Sequence, residues 1–199
     1  MTRHVAAAAF VAAALALPAC VMDIDSGPDD PPRTTEQPFA EGGTIDVQID
    51  KGDCDITNNA AAAIRVTLSG HVRLAISDIT LNGPRATVTV RQAPQNKFHC
   101  TVDVPKAEEL TVTMGGGDLR VGDIATRTDV QTGAGDTDII VGTASDYASV
   151  EAVVGAGDLA AGPFGGGQSG IAPKFNWTGP GKRTLVAHLG AGDLRLRRQ

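Results

Sequence analysis

Gly115-Gly116-Gly117-Asp118-Leu119 returns three times, as Gly133-Ala134-Gly135-Asp136-Thr137, as Gly155-Ala156-Gly157-Asp158-Leu159 and as Gly190-Ala191-Gly192-Asp193-Leu194. Short runs of alternating apolar residues flank every copy. A unit that recurs about every twenty residues marks stacked coils, each burying its apolar face against the next. The motif also has a mechanical reading. Glycine at a corner permits a positive φ and lets neighbouring coils approach closely. Aspartate after it accepts hydrogen bonds from corner amides. Asp118, Asp136, Asp158 and Asp193 are therefore expected to be structural corner residues, with Asp118, Asp136 and Asp158 in one column. Leu119, Leu159 and Leu194 then point into the core, and Arg120 and Arg195 point out.

Outward from these corners the pattern stays that of strands. Ile45, Val47 and Ile49 alternate with polar residues, as do Ile64, Val66 and Leu68; Val72, Leu74 and Ile76; Val88 and Val90; and Leu110, Val112 and Met114. Turn residues separate the runs, including Asn82-Gly83-Pro84. Ala60–Ala63 favours a helix but is short and has no periodic apolar face. The chain is read as all-β, a right-handed parallel β-solenoid with short strands and Gly-Asp corners. The motif aspartates are 18, 22 and 35 residues apart. The last interval means either a coil without the motif or an insertion at 163–181. Lys51-Gly52-Asp53-Cys54 reads as a worn earlier copy.

The N-terminal segment has another character. Residues 1–19 have a basic start, an Ala-rich apolar run and the ending Leu17-Pro18-Ala19-Cys20. The run is too short to span a bilayer and suits a signal peptide. Its end resembles the bacterial lipobox, which implies acylation of Cys20 and a membrane anchor. Val21 after the cysteine implies, by enterobacterial sorting rules, the outer membrane, with the domain periplasmic or surface-exposed. Residues 20–40 carry Asp23, Asp25, Asp29, Asp30 and Glu36 among prolines, and are read as a disordered tether. The folded domain is expected over 41–199.

The chain has 17 Lys and Arg against 23 Asp and Glu, a net charge of −6. That balance, without a long basic stretch, argues against a nucleic-acid partner. With Cys20 lipidated, Cys54 and Cys100 remain. Both lie on the apolar face of their strand patterns, and export brings oxidising conditions, so they are expected to form a disulfide.

The run Val102-Asp103-Val104-Pro105, then Leu110-Thr111-Val112, then Gly117-Asp118-Leu119-Arg120-Val121 with further Gly-Asp-apolar units, resembles the bacterial putative-adhesin domains. The resemblance covers roughly residues 43–197 and is clearest over 102–160. It implies a cell-envelope β-solenoid with no catalytic residues to carry over. A non-enzymatic surface-interaction or structural role follows, with an envelope polysaccharide or a protein as partner and no cofactor.

Four other chemistries bear on these residues, of which calcium binding and an enzyme remain as alternatives. The Gly-x-Gly units lack the third glycine and the helix of a dinucleotide fingerprint. His71, His99 and His188 have no metal-ligand spacing. Calcium held by an aspartate column is an alternative to amide hydrogen bonds at the corners. A polysaccharide-acting enzyme would use Asp138, Asp146, Lys174 and Arg183, which nothing in the sequence links. Phe164, Phe175 and Trp177 stand in the irregular 163–181 segment of a chain poor in aromatics. They are read as a plug for the end of the stack, with a contact loop as the alternative.

Overall fold

The computed structural model describes residues 28–94 and 96–198. The leader, Cys20 and tether residues 21–27 lie outside the described residues. The strands are β1 (Asp30–Pro38), β2 (Thr44–Ile49), β3 (Asp53–Asn58), β4 (Ala63–Gly70), β5 (Ile76–Asn82), β6 (Arg85–Arg91), β7 (Phe98–Val104) and β8 (Ala107–Met114). They continue as β9 (Leu119–Val121), β10 (Ala125–Ala134), β11 (Thr137–Val141), β12 (Tyr147–Ala161), β13 (Gly166–Ile171), β14 (Lys174–Thr178), β15 (Arg183–Ala191) and β16 (Leu194–Arg198). Two 3₁₀ turns, Ala144–Asp146 and Gly162–Phe164, are the helical elements among the described residues.

All these strands join one mixed sheet bent into a nearly closed barrel. One arm is the parallel series β6-β2-β8-β10-β15-β12. The other is the parallel series β7-β3-β9-β11-β16-β12. β12 belongs to both arms and joins them at one end. At the opposite end, β5 pairs antiparallel with β6, while β4 and then β1 extend the β7 arm antiparallel. There the gap between β1 and β5 is bridged by side chains. Thr35 Oγ1 and Ser77 Oγ lie 2.9 Å apart, and Arg33 Nη1 donates to the carbonyls of Val72 and Ala75 at 3.2 and 2.9 Å.

The period of two decides which face is buried. Ile45, Val47 and Ile49 of β2 point inward and pack in register with Ala86, Val88 and Val90 of β6 and with Leu110, Val112 and Met114 of β8. Burying such rows of β-branched and aliphatic side chains between the arms is the main favourable term. Cys54 and Cys100 are register partners on β3 and β7, both buried, and form a disulfide with Cα atoms 4.6 Å apart.

Several expectations need correction. The coils do not follow one another in chain order, as a simple right-handed parallel β-helix requires. The β6/β7 pair lies outside β2/β3, and β15/β16 inserts between β10/β11 and β12. Antiparallel strands flank both ends of the sheet.

The tether does not extend to residue 40. Asp30–Pro38 is an edge strand, and Phe39 is buried. It lacks apolar residues because both its faces are largely exposed. It is held by the backbone ladder to β4, by the Arg65–Glu36 ion pair and by Asp30, whose Oδ2 accepts from the amides of Val72 and Arg73. Its prolines are tolerated because an edge strand leaves one row of backbone groups unpaired.

Of the Val72, Leu74 and Ile76 run, residues 72–75 are a loop, and only Ile76 lies in a strand, as the first residue of β5. The same Asp30 and Arg33 bonds tie the loop down, and Leu74 stands 72% exposed. The 163–181 segment is an insertion. After the Gly162–Phe164 turn, β13 and β14 fold back antiparallel onto β12.

Candidate functional site

The corners form one ridge along the barrel. Backbone amides link successive corners: Gly52 N donates to Gly116 O at 3.0 Å, Gly117 N to Ala134 O at 2.9 Å, Gly135 N to Ala191 O at 2.9 Å and Gly192 N to Ala156 O at 2.9 Å. Side chains link them in the opposite direction. Oδ1 of Asp53 accepts from the amide of Asp118, that of Asp118 from Asp136, that of Asp136 from Asp193, and that of Asp193 from Asp158. These bonds are 3.0–3.3 Å long. The column order is therefore 53, 118, 136, 193, 158. The expected adjacency of Asp136 and Asp158 is corrected, because β15/β16 inserts between their coils.

Stacked carboxylates repel, and Arg195 offsets this at the middle of the column. Its Nη1 donates to Asp136 Oδ2 at 2.9 Å, and its Nη2 to Asp193 Oδ2 at 2.5 Å. The Arg195 guanidinium, and then the Asp193 amide, hold the Asp136 carboxyl below the usual carboxylate range. With its pKa depressed by folding, Asp136 contributes stability above about pH 4 that is lost as the pH falls further. Asp136→Ala is expected to cost about 1 kcal/mol at neutral pH, since the site is half exposed and screened. The gap to wild type should narrow in acid, as read by denaturant melts across pH. A pH-independent gap would show that the carboxylate charge plays no role.

A shallow depression of ≈ 240 Å³ covers this ridge and its neighbour row, lined by Asp53, Asp55, His99, Asp118, Arg120, Asp136, Asp138 and Arg195. Among the described residues no group of three or more His, Cys, Asp or Glu side chains is arranged to hold a metal ion. The ridge carboxylates engage backbone amides and Arg195 instead. His99 lies 3.5 Å from Asp55, and His188 is exposed on β15.

The four residues that an enzyme would use are not brought together. Asp138 pairs with Arg197 at 3.1 Å, and Lys174 with Glu151 at 2.8 Å on the other arm. Asp146 accepts from the amide and hydroxyl of Thr143, which lowers its pKa. Arg183 forms a two-pronged pair with Asp123, donates to Ala125 O at 2.9 Å and lies over the Tyr147 ring at 5.2 Å. Burial raises the Tyr147 pKa. This cluster locks the turns at one end of the arms.

Phe164, Phe175 and Trp177 meet at the β12 end of the barrel. Phe175 and Trp177 sit opposite Ala152 and Val150 in the β12–β14 ladder, so all share the inward face. Phe164 is 9% exposed, and its ring centroid lies 5.2 Å from Trp177, 6.4 Å from Phe175 and 5.4 Å from Tyr147. Tyr147 is not conspicuous in the sequence because nothing local sets it apart. The half-buried Phe175 and Trp177 pack on the core and cover its open end. Phe164→Ala is expected to cost about 3 kcal/mol. Ile171→Ala, at the 92% exposed hairpin tip, should stay within about 0.5 kcal/mol. Equal chemical melts for the two variants would contradict the packing role of the rings.

No family model and no curated protein matches this chain. Among solved structures it is similar to a putative cell adhesion protein from Clostridium sporogenes, at 13% identity over 85% of this chain and 100% of that one, with a TM-score of 0.52. It is also similar to a putative adhesin from Bacteroides fragilis, at 11% identity over 84% and 98%, with a TM-score of 0.38. A third is a putative lipid binding protein from Parabacteroides distasonis, at 10% identity over 55% and 52%, with a TM-score of 0.34. The first likeness establishes a shared fold.

Proposed function

We propose that this chain is a cell-envelope lipoprotein whose domain is a rigid, non-enzymatic binding or structural module of the adhesin kind. The observation that carries the reading is the fold shared with the whole of the putative cell adhesion protein from Clostridium sporogenes. The buried Cys54–Cys100 disulfide agrees with an oxidising, exported setting. On this reading the two parallel arms are stacked solenoid coils, closed by antiparallel strands and the aromatic end. Cys20 carries the lipid, residues 21–29 span from membrane to domain, and the destination is the outer membrane. The partner is an envelope polysaccharide or a protein.

Metabolic labelling with a palmitate analogue tests the anchor. The wild-type chain should take up label and fractionate with membranes, and Cys20→Ser should lose both. Adherence of cells carrying or lacking the gene, to glycan-coated and protein-coated surfaces, tests the role. Unlabelled protein in the soluble fraction sinks the anchor. Unchanged adherence to every surface sinks the binding role.

A further inference from the structure

The outer face of the second arm carries a depression of ≈ 760 Å³ at the end away from the corners, lined by Thr57, Asn58, Lys106, Arg120, Gly122, Asp123, Ile140, Arg197 and Arg198. Its four cations come from three segments of the chain: the β7–β8 turn, β9 and two adjacent positions of β16. Gly122, without a side chain, leaves the gap between Thr57 and Ile140. Asp123 is its one acidic lining residue, and both its oxygens are taken by Arg183. Arg197 is paired with Asp138. No carboxylate lies within 4.0 Å of Lys106, Arg120 or Arg198 among the described residues. For Arg120 this holds although Asp55 and Asp138 flank it in register on β3 and β11.

The arrangement gathers positive charge in one place on a chain whose net charge is −6. Five arginines of the described strands do have acidic partners: Arg65–Glu36, Arg127–Glu109, Arg183–Asp123, Arg195–Asp136 and Arg197–Asp138. Three unpaired cations around one concavity repel one another, and a bound anion relieves that repulsion. Two guanidinium groups also offer forked donors that match carboxylate or phosphate oxygens.

We propose that this depression is an anion-binding site that takes the clustered carboxylate or phosphate groups of an acidic glycan. The assignment deepens the binding-module reading by naming its ligand chemistry, and rests on that reading for its biological setting.

Isothermal titration of the mature protein with oligogalacturonate, with inorganic tripolyphosphate and with a neutral maltooligosaccharide tests it. The variant Lys106→Gln/Arg120→Gln/Arg198→Gln removes the site. The variant Lys51→Gln/Arg85→Gln/Lys182→Gln removes the same charge from exposed residues elsewhere, and circular dichroism confirms that both fold. Binding of at least one anion, weakened roughly tenfold or more in the first variant and less than about twofold in the second, supports the site. The anion that binds identifies carboxylate or phosphate as the group recognised. Equal losses in both variants, equal binding of the neutral sugar, or no binding of either anion at low salt overturns the proposal. Anion binding with unchanged cell adherence would retire the adhesion role and leave the site standing. Lost adherence on gene deletion without anion binding would do the reverse.

Discussion

Gly135→Ala is expected to abolish folding or to lower the melting temperature by more than about 10 °C. Gly135 sits at φ 116°, and a Cβ there would fall inside the backbone of Gly117 in the adjacent coil. A left-handed φ costs an alanine about 1–2 kcal/mol. The clash adds about 1–3 kcal/mol or more, because backbone cannot swing aside as a side chain can. Relieving it would push adjacent coils apart and break the Gly135–Ala191 and Asp136–Asp118 bonds. Together these losses reach about 4 kcal/mol or more, a large share of the roughly 5–15 kcal/mol stability of an ordinary domain. Gly162→Ala is the internal control. Nothing lies within 4 Å of its Cβ position and no positive φ is required, so its melt should match wild type. A Gly135→Ala protein melting within a few degrees of wild type would refute close corner packing.

Removing the disulfide as Cys54→Ala/Cys100→Ala should cost about 4 kcal/mol and lower the melting temperature by about 10 °C. The bond closes a loop with a sequence separation of 46, so its loss returns that much freedom to the unfolded chain. It also fastens β7, and with it the antiparallel β4 and β1, to the rest of the second arm. Paired melts of the variant and wild type give the magnitude. Alkylation before reduction checks the premise, and labelling of both thiols in native protein would overturn it. Because both sulfurs are buried, reductant should act on the folded protein slowly, at a rate set by opening.

Much of this was legible from local pattern. One-sided burial forces a period of two, so Ile45, Val47 and Ile49, or Leu110, Val112 and Met114, announce both the strand and its inward face. The same parity placed Cys54 and Cys100 inside before any pairing was known. The Gly-x-Gly-Asp units marked corners because an L side chain is excluded there. Where pattern misled, the reason is equally local. Val72 and Leu74 alternate with Ile76 over too few residues to outweigh the Asp30 and Arg33 bonds that hold 72–75 as a loop ahead of β5. Asp30–Pro38 has no apolar face, because its pairing is through the backbone at an edge.

By itself, then, the sequence determined most of the strands and the inward face of those with an apolar side, the corners and the two cysteines to be joined. It did so because these depend on a residue and its near neighbours. Only the tertiary structure decided the order of the coils. β12 and β15 present equivalent apolar patterns, so either could lie beside β10 at similar local energy. β13 and β14 cover the outer side of β12, which leaves β15 to fill the place between β10 and β12. That order sets Asp193 beside Asp136, where Arg195 can bridge them. Lys106, Arg120 and Arg198 likewise meet around one depression only through the registers of strands far apart in the chain.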